Sequence, residues 1–272
     1  MTNKILSLED KKKVGYEILK YVSGFCEEHG IRYYLAYGTL LGAVRHKGFI
    51  PWDDDVDLFI PRPDYMRLLE TFVGSHEYKL LSCFNKKDYV YPFSKVQSIY
   101  TKTLLPSGKV LDHGLGIDLF PLDGIPDELD LTTAEEIFKK ENDVFINYVQ
   151  KYDAYKFLNI TSLKNRIKVF LYKASVMTGA LNRKGQKLST NPYDSEYDDC
   201  STVACVVGMH DGVFTPFKKD WFTPRKLKFE DAYFDAPACY DEMLSLLYPN
   251  YMQLPPESER ITTHIADFVW SF

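Results

Sequence analysis

The chain has 272 residues, 45% hydrophobic and 26% charged, with a formal net charge of −5. That length can bury a sizeable core, and the composition is ordinary for a water-soluble protein. The acidic balance argues against a general nucleic-acid binder, and no run approaches the ~18 apolar residues of a membrane span.

The first residues, MTNKILSLEDKKK, are polar and hold no apolar signal core. Leu8 to His29 reads as a helix, with Val14, Ile18, Leu19, Val22 and Phe25 at helical spacing and Gly30 as its stop. Ile31 to Ala36 is a short β-type run. Gly38-Thr39 turns the chain into a brief helix, Leu40 to Arg45. Pro51-Trp52 then leads into a strand, Asp55 to Ile60, closed by Pro61 and Pro63. Asp64 to Phe72 is helical in pattern. Further strands are expected at Lys79–Cys83, Pro92–Ser98, Thr101–Leu105 and Gly116–Phe120, the last stopped by Pro121.

This order predicts an α/β (α+β) fold: a mixed-sheet core over residues 1–125. Residues 126–199 then form a mainly helical insertion, with no strand pattern over 127–181. Residues 200–272 return to the core through strands at Cys200–Gly208 and Lys226–Phe229, a helix at Ala238–Leu247 and a Pro-rich tail. The five cysteines are odd in number and widely spread, with no CxxC and no histidine at zinc spacing. They read as reduced thiols of a cytoplasmic protein, not as a zinc site.

Two acids interrupt the apolar strand Val56, Leu58, Phe59, Ile60. Side chains alternate along a strand, so Asp55 and Asp57 share a face, about 6–7 Å apart. Two ionised carboxylates side by side are costly without a cation. Their hard oxygens suit Mg²⁺ or Mn²⁺. Ile117-Asp118-Leu119-Phe120 repeats the pattern of Val56-Asp57-Leu58-Phe59. If the two strands are neighbours, Asp118 is a third carboxylate of one site, as ligand or as general base. Asp53 and Asp54 read mainly as loop acids, although Asp53 shares the parity of Asp55 and could assist.

The Gly38-Thr39 turn is a candidate anion site. Glycine lets a ligand approach the backbone, and a helix start offers free N–H groups. Arg45 is the best nearby phosphate partner, because its fork matches phosphate oxygens. Lys95, in the apolar run FSKVQ, needs an anion, and a phosphate would serve. The alternative is a lysine snorkelling from an edge strand.

Residues 161–190 carry seven basic side chains and no acid, with Leu163, Ile167, Phe170 and Leu171 interleaved. One reading is an amphipathic surface facing an anionic membrane or a lipid-linked acceptor. The other is a solvated helix packed on the core by its apolar stripe.

The Gly-Thr turn, the Asp-x-Asp and the later strand Asp resemble the nucleotidyltransferase superfamily. More closely, YGTLLGAVRHKGFIPWDDDVDLFIPR with GIDLFPLD resembles the LicD family, which includes fukutin-like proteins. The likeness continues more weakly through FEDAYFDAPACYDEMLSLLYPNYMQLPP. The resemblance implies a nucleotidyltransferase-like sheet core and a Mg²⁺-dependent enzyme. Such an enzyme moves phosphocholine from CDP-choline, or another alcohol phosphate from its CDP-alcohol, to a sugar hydroxyl of a teichoic acid, lipopolysaccharide or other cell-surface glycan precursor. On that reading Asp55, Asp57 and Asp118 hold the metal, and Gly38 and Thr39 hold the donor diphosphate. The acceptor would be lipid-linked and the protein cytoplasmic, with peripheral contact at the inner face of the membrane. Trp52, Tyr89, Tyr91 and Trp221 are candidates for a choline cage. Two alternatives stand beside this one: a nucleotidyltransferase acting on a small molecule, and a non-catalytic nucleotide- or choline-binding protein at the membrane surface.

Overall fold

A computed structural model describes residues 4–106, 108–157, 162–207, 213–261 and 267–271, with side chains 151–157 left undescribed. The chain divides into two units. The first comprises residues 1–80, 95–120 and 217–272, and the second 81–94 and 121–216.

The helices are α1 (Leu8–Glu28), α2 (Tyr37–Arg45), α3 (Arg62–Thr71), α4 (Leu131–Phe157), α5 (Leu163–Met177), α6 (Ala180–Leu188) and α7 (Tyr240–Leu247). The strands begin with β1 (Tyr34–Leu35), β2 (Asp57–Pro61), β3 (Tyr78–Leu81), β4 (Ser94–Ser98), β5 (Thr101–Leu104), β6 (Val110–Leu111) and β7 (Gly116–Ile125). They continue with β8 (Thr202–Ala204), β9 (Phe217–Lys218), β10 (Pro224–Phe229), β11 (Ala232–Pro237) and β12 (Asp267–Trp270).

The first unit is built on the strand order β1-β2-β7-β4-β3, so the two acid-bearing strands β2 and β7 are neighbours. Helix α1 starts at a full capping box: the Ser7 hydroxyl accepts from Asp10 N–H while Asp10 accepts from Ser7. Its Ile18, Leu19, Val22 and Cys26 recur at helical spacing and are buried. Helix α3 begins one residue after β2 because Pro63 suits a first helical turn.

The hairpin β10–β11 pairs Pro224–Phe229 with Ala232–Pro237. At its turn the Glu230 carboxylate accepts from Phe49 N–H at 3.0 Å, and Glu230 N–H donates to Lys47 O at 2.8 Å. This holds the basic loop that follows α2. Strand β12 lies on β5, pairing Trp270 with Thr101.

Three expectations change. Asp55 lies ahead of β2, not in it. The Asp53 carboxylate accepts its N–H at 3.2 Å, which takes that group out of any ladder. Strand β7 runs through Pro121 to Ile125, and its pairing with β8 begins only at Asp123. A proline is tolerated where no ladder donor is needed. The buried strand expected over Cys200–Gly208 is confined to Thr202–Ala204, and residue 208 itself lies outside the described residues.

In the second unit, α4, α5 and α6 follow one another, and α6 closes over a small core. Val90, Tyr148 and Leu181 are buried there, with Tyr172 and Val176 of α5 packed on them. The Tyr148 hydroxyl donates to Leu181 O at 2.9 Å. That bond satisfies a polar group which would otherwise be costly to bury.

Candidate active site

The site grows from the corner between β1 and α2. Tyr37 takes a φ of 42°, a left-handed conformation rare for a bulky residue. Its ring is held edge-on by Phe59 at 4.7 Å and Phe120 at 5.5 Å, one from each acid-bearing strand. The corner turns the start of α2 toward the end of β2 that carries Asp57. Ala36, the N-cap, makes no side-chain cap bond. The first amides of α2 therefore lack the capping oxygen that a Ser or Asp would supply.

Thr39 and Gly38 then meet the acids. The Thr39 hydroxyl oxygen accepts from Asp57 N–H at 2.9 Å. The Asp57 carbonyl accepts from Ala36 N–H at 3.0 Å. A Cβ on Gly38 would lie 3.1 Å from Asp53 Oδ2, so the glycine is what allows that carboxylate to approach the backbone. Asp118 N–H donates to Val56 O at 2.9 Å, which sets Asp118 beside Asp57. Lys95 of β4 reaches Asp118 Oδ1 at 3.0 Å. The structure thus brings Gly38, Thr39, Asp55, Asp57, Lys95 and Asp118 together, with Asp53 added.

The electrostatics follow from crowding. Burial lifts the Asp57 carboxyl well above the usual carboxylate range, and the charges of Asp55, Asp118 and Asp53 lift it further. Lys95 works in the opposite direction. For Lys95 itself burial disfavours the charge, but Asp118, Asp55 and Asp57 outweigh burial and raise its pKa. Four carboxylates against one ammonium leave the cluster short of positive charge. By donor chemistry and by charge these oxygens fit a hard divalent ion. Among the described residues, no three His, Cys, Asp or Glu side chains already converge as a set that could hold an ion.

Arg45 stands differently. Its Nη1 donates to Tyr251 O at 2.7 Å and Gln253 O at 3.2 Å, and its Nε to His46 Nε2 at 2.9 Å. The guanidinium is tied to the Pro-rich tail, which does loop back over the first unit. Asp54 is an acid of the loop ahead of β2, as read, but it is buried with Lys11 3.8 Å away, a structural pair. The four aromatic candidates are divided between the units, Tyr89 and Tyr91 in the second and Trp52 and Trp221 in the first. Tyr89 is buried edge-on to Tyr91 at 5.5 Å, Trp52 already carries Arg260 at 5.7 Å, and Trp221 leans on Phe217 at 6.4 Å.

The sequence reading passed over Gln97. It lies two residues along β4 from Lys95 and so on the same face. It is buried, and its amide oxygen has no hydrogen-bond partner among the described residues. A Cβ on Gly116 would come 2.9 Å from Gln97 Cα, so β7 leaves the space beside Gln97 without a side chain. The available signal was an amide at the parity of Lys95 in an otherwise apolar strand.

Residues 30–161 match the model of the LicD/FKTN/FKRP nucleotidyltransferase domain. The chain is 28% identical over 268 residues to the lipopolysaccharide cholinephosphotransferase LicD of Haemophilus influenzae, covering 97% of this chain and 98% of that protein. It is 57% identical over 44 residues to human ribitol 5-phosphate transferase FKRP, a match to 16% of this chain and 9% of FKRP. An uncharacterised protein of Rickettsia prowazekii is 33% identical over 90 residues, 33% of this chain and 30% of its own length. With acids, turn and lysine assembled around strands β2, β7 and β4, residues 30–161 carry the nucleotidyltransferase domain of the LicD/FKTN/FKRP family.

Proposed function

We propose that this chain transfers a substituted phosphate, phosphocholine first among the candidates, from a CDP-alcohol to a sugar hydroxyl of a cell-surface glycan precursor. The observation that carries the reading is the crowding of Asp57 by Asp55, Asp118 and Asp53 beside Thr39 and Lys95. The full-length likeness to a cholinephosphotransferase supports the choice of group.

Asp55 and Asp57 would hold Mg²⁺ or Mn²⁺, with Asp118 as a third ligand or, in its place, as the general base. When bound, such an ion supplies neutralising charge to a diphosphate. The N–H groups at Gly38 and Thr39 would receive phosphate oxygens at the helix start. The Lys95 ammonium adds a mobile positive charge once it leaves Asp118. Asp118 then accepts the proton of the acceptor hydroxyl. The acceptor oxygen bonds to the phosphorus that carries the alcohol, the bridging P–O bond breaks, and CMP leaves with the bridging oxygen. Arg45 enters this reading as a support: with Nη1 and Nε engaged, Nη2 is the edge it would turn to a phosphate.

One assay tests the reading. The full chain is incubated with Mg²⁺, a crude glycan acceptor and CDP-choline, CDP-ribitol, CDP-glycerol or CTP, and CMP and pyrophosphate are measured. We expect CMP from one CDP-alcohol, its loss with EDTA, and a drop of at least ~10²-fold in the folded Asp57→Ala variant. Pyrophosphate from CTP without CMP from any CDP-alcohol would make the chain a small-molecule nucleotidyltransferase. Turnover that survives EDTA would remove the metal.

A further inference from the structure

Helix α5 has two apolar faces, and only one of them is used. Tyr172 and Val176 pack on the core of Val90, Tyr148 and Leu181. At 3.6 residues per turn, Leu163, Ile167, Phe170, Leu171 and Met177 fall within about 120° of arc on the opposite side. They are 72, 52, 70, 60 and 78% exposed. The stripe expected to pack this helix on the core therefore faces outward, and no residue of α5 is fully buried.

The edges of that stripe are basic. Lys164 and Lys168 border one side, and Arg166 and Lys173 the other. No acid occurs between Ser162 and Thr190, in a chain whose net charge is −5. An exposed apolar band bordered by cations on both sides is the pattern of a helix lying in a membrane interface, apolar side chains among the acyl chains and ammonium and guanidinium groups at the phosphates. A second copy of the chain fits poorly, because two such stripes face to face would set cation against cation. Among the described residues no helix is long and apolar enough to cross a membrane.

We infer that the outward face of α5 docks the protein on an anionic lipid surface. The inference rests on the second unit alone and stands apart from the reaction proposed above.

The test is sedimentation of the full chain with phosphatidylcholine vesicles, with and without roughly 30% phosphatidylglycerol. Anionic vesicles should bind at least ~10-fold more protein, and high salt should release it. Ile167→Ser/Phe170→Ser should lower the partition coefficient by about tenfold. Lys164→Glu/Arg166→Glu/Lys168→Glu/Lys173→Glu should do the same or more. All six positions lie on the exposed side or at its edges, so circular dichroism should be unchanged. Phe170→Trp should show a blue-shifted emission with anionic vesicles only. Equal binding of wild type and both variants, or no binding by wild type, overturns the inference. So does concentration-dependent self-association that Phe170→Ser abolishes, because a second copy would then be the occupant.

Discussion

At the residue scale the site turns on Thr39. Its hydroxyl is the acceptor for Asp57 N–H, in a buried position at the mouth of β2. Thr39→Val keeps the shape and removes the oxygen, leaving a backbone donor unsatisfied. We expect a loss of about 1–3 kcal/mol in urea denaturation, with Thr39→Ser within about 1 kcal/mol of wild type. Equal stability of Val and Ser variants would mean that water replaces the hydroxyl. The residue types of this site were legible in the chain: two acids at strand spacing, a glycine-hydroxyl turn and a lysine in an apolar run. Their partners were not. Lys95 called for an anion, and sequence alone could not say that the anion is Asp118. Nor could it say that Arg45 would be spent on Tyr251 and Gln253, 206 and 208 residues away in the chain.

At the element scale the neighbouring of β4 and β7 depends on Gly116. A Cβ there would meet Val96 O at 2.5 Å and Gln97 Cα at 2.9 Å, both backbone atoms that cannot swing aside. Gly116→Ala should therefore part the two strands. The expected cost is about 1–3 kcal/mol, and Lys95 should draw away from Asp118. Urea denaturation reads the first effect. An unchanged midpoint would show that the strands accommodate a methyl group. The same scale shows where periodicity is a sound guide. Helix α1 follows its apolar spacing and its Ser7–Asp10 capping box almost to the residue. Strand β7 does not follow its local signal, since Pro121 reads as a stop and the strand continues. Strands β11 and β12 were missed because a strand's existence depends on its partner. For β12 that partner is β5, far away in sequence.

At the scale of the whole molecule, four of the five free cysteines are buried, Cys26 in the first unit and Cys83, Cys200 and Cys205 in the second. Burial pushes the Cys26 thiol up to about 12, so it is poorly reactive while the first unit is folded. Rising urea with a thiol-labelling reagent and mass spectrometry then reports each unit separately. Helix α5 buries no residue fully, and we expect the second unit to open first. Cys83, Cys200 and Cys205 should label at lower urea than Cys26. Simultaneous labelling of all four would mean that the two units unfold as one.

The sequence by itself determined the helices with strong period and caps, the α/β class, the acids and turn of the site, and the family they resemble. These are local properties, set by spacing and side-chain chemistry within a few turns or one strand. Tertiary structure alone decided which carboxylate meets Lys95, that Gln97 stands on the same face, and where β7 ends. It also decided which face of α5 is covered. An apolar stripe in a sequence says that a face avoids water; only the packing of Tyr172 and Val176 on the other side shows that the protein's own core does not cover it.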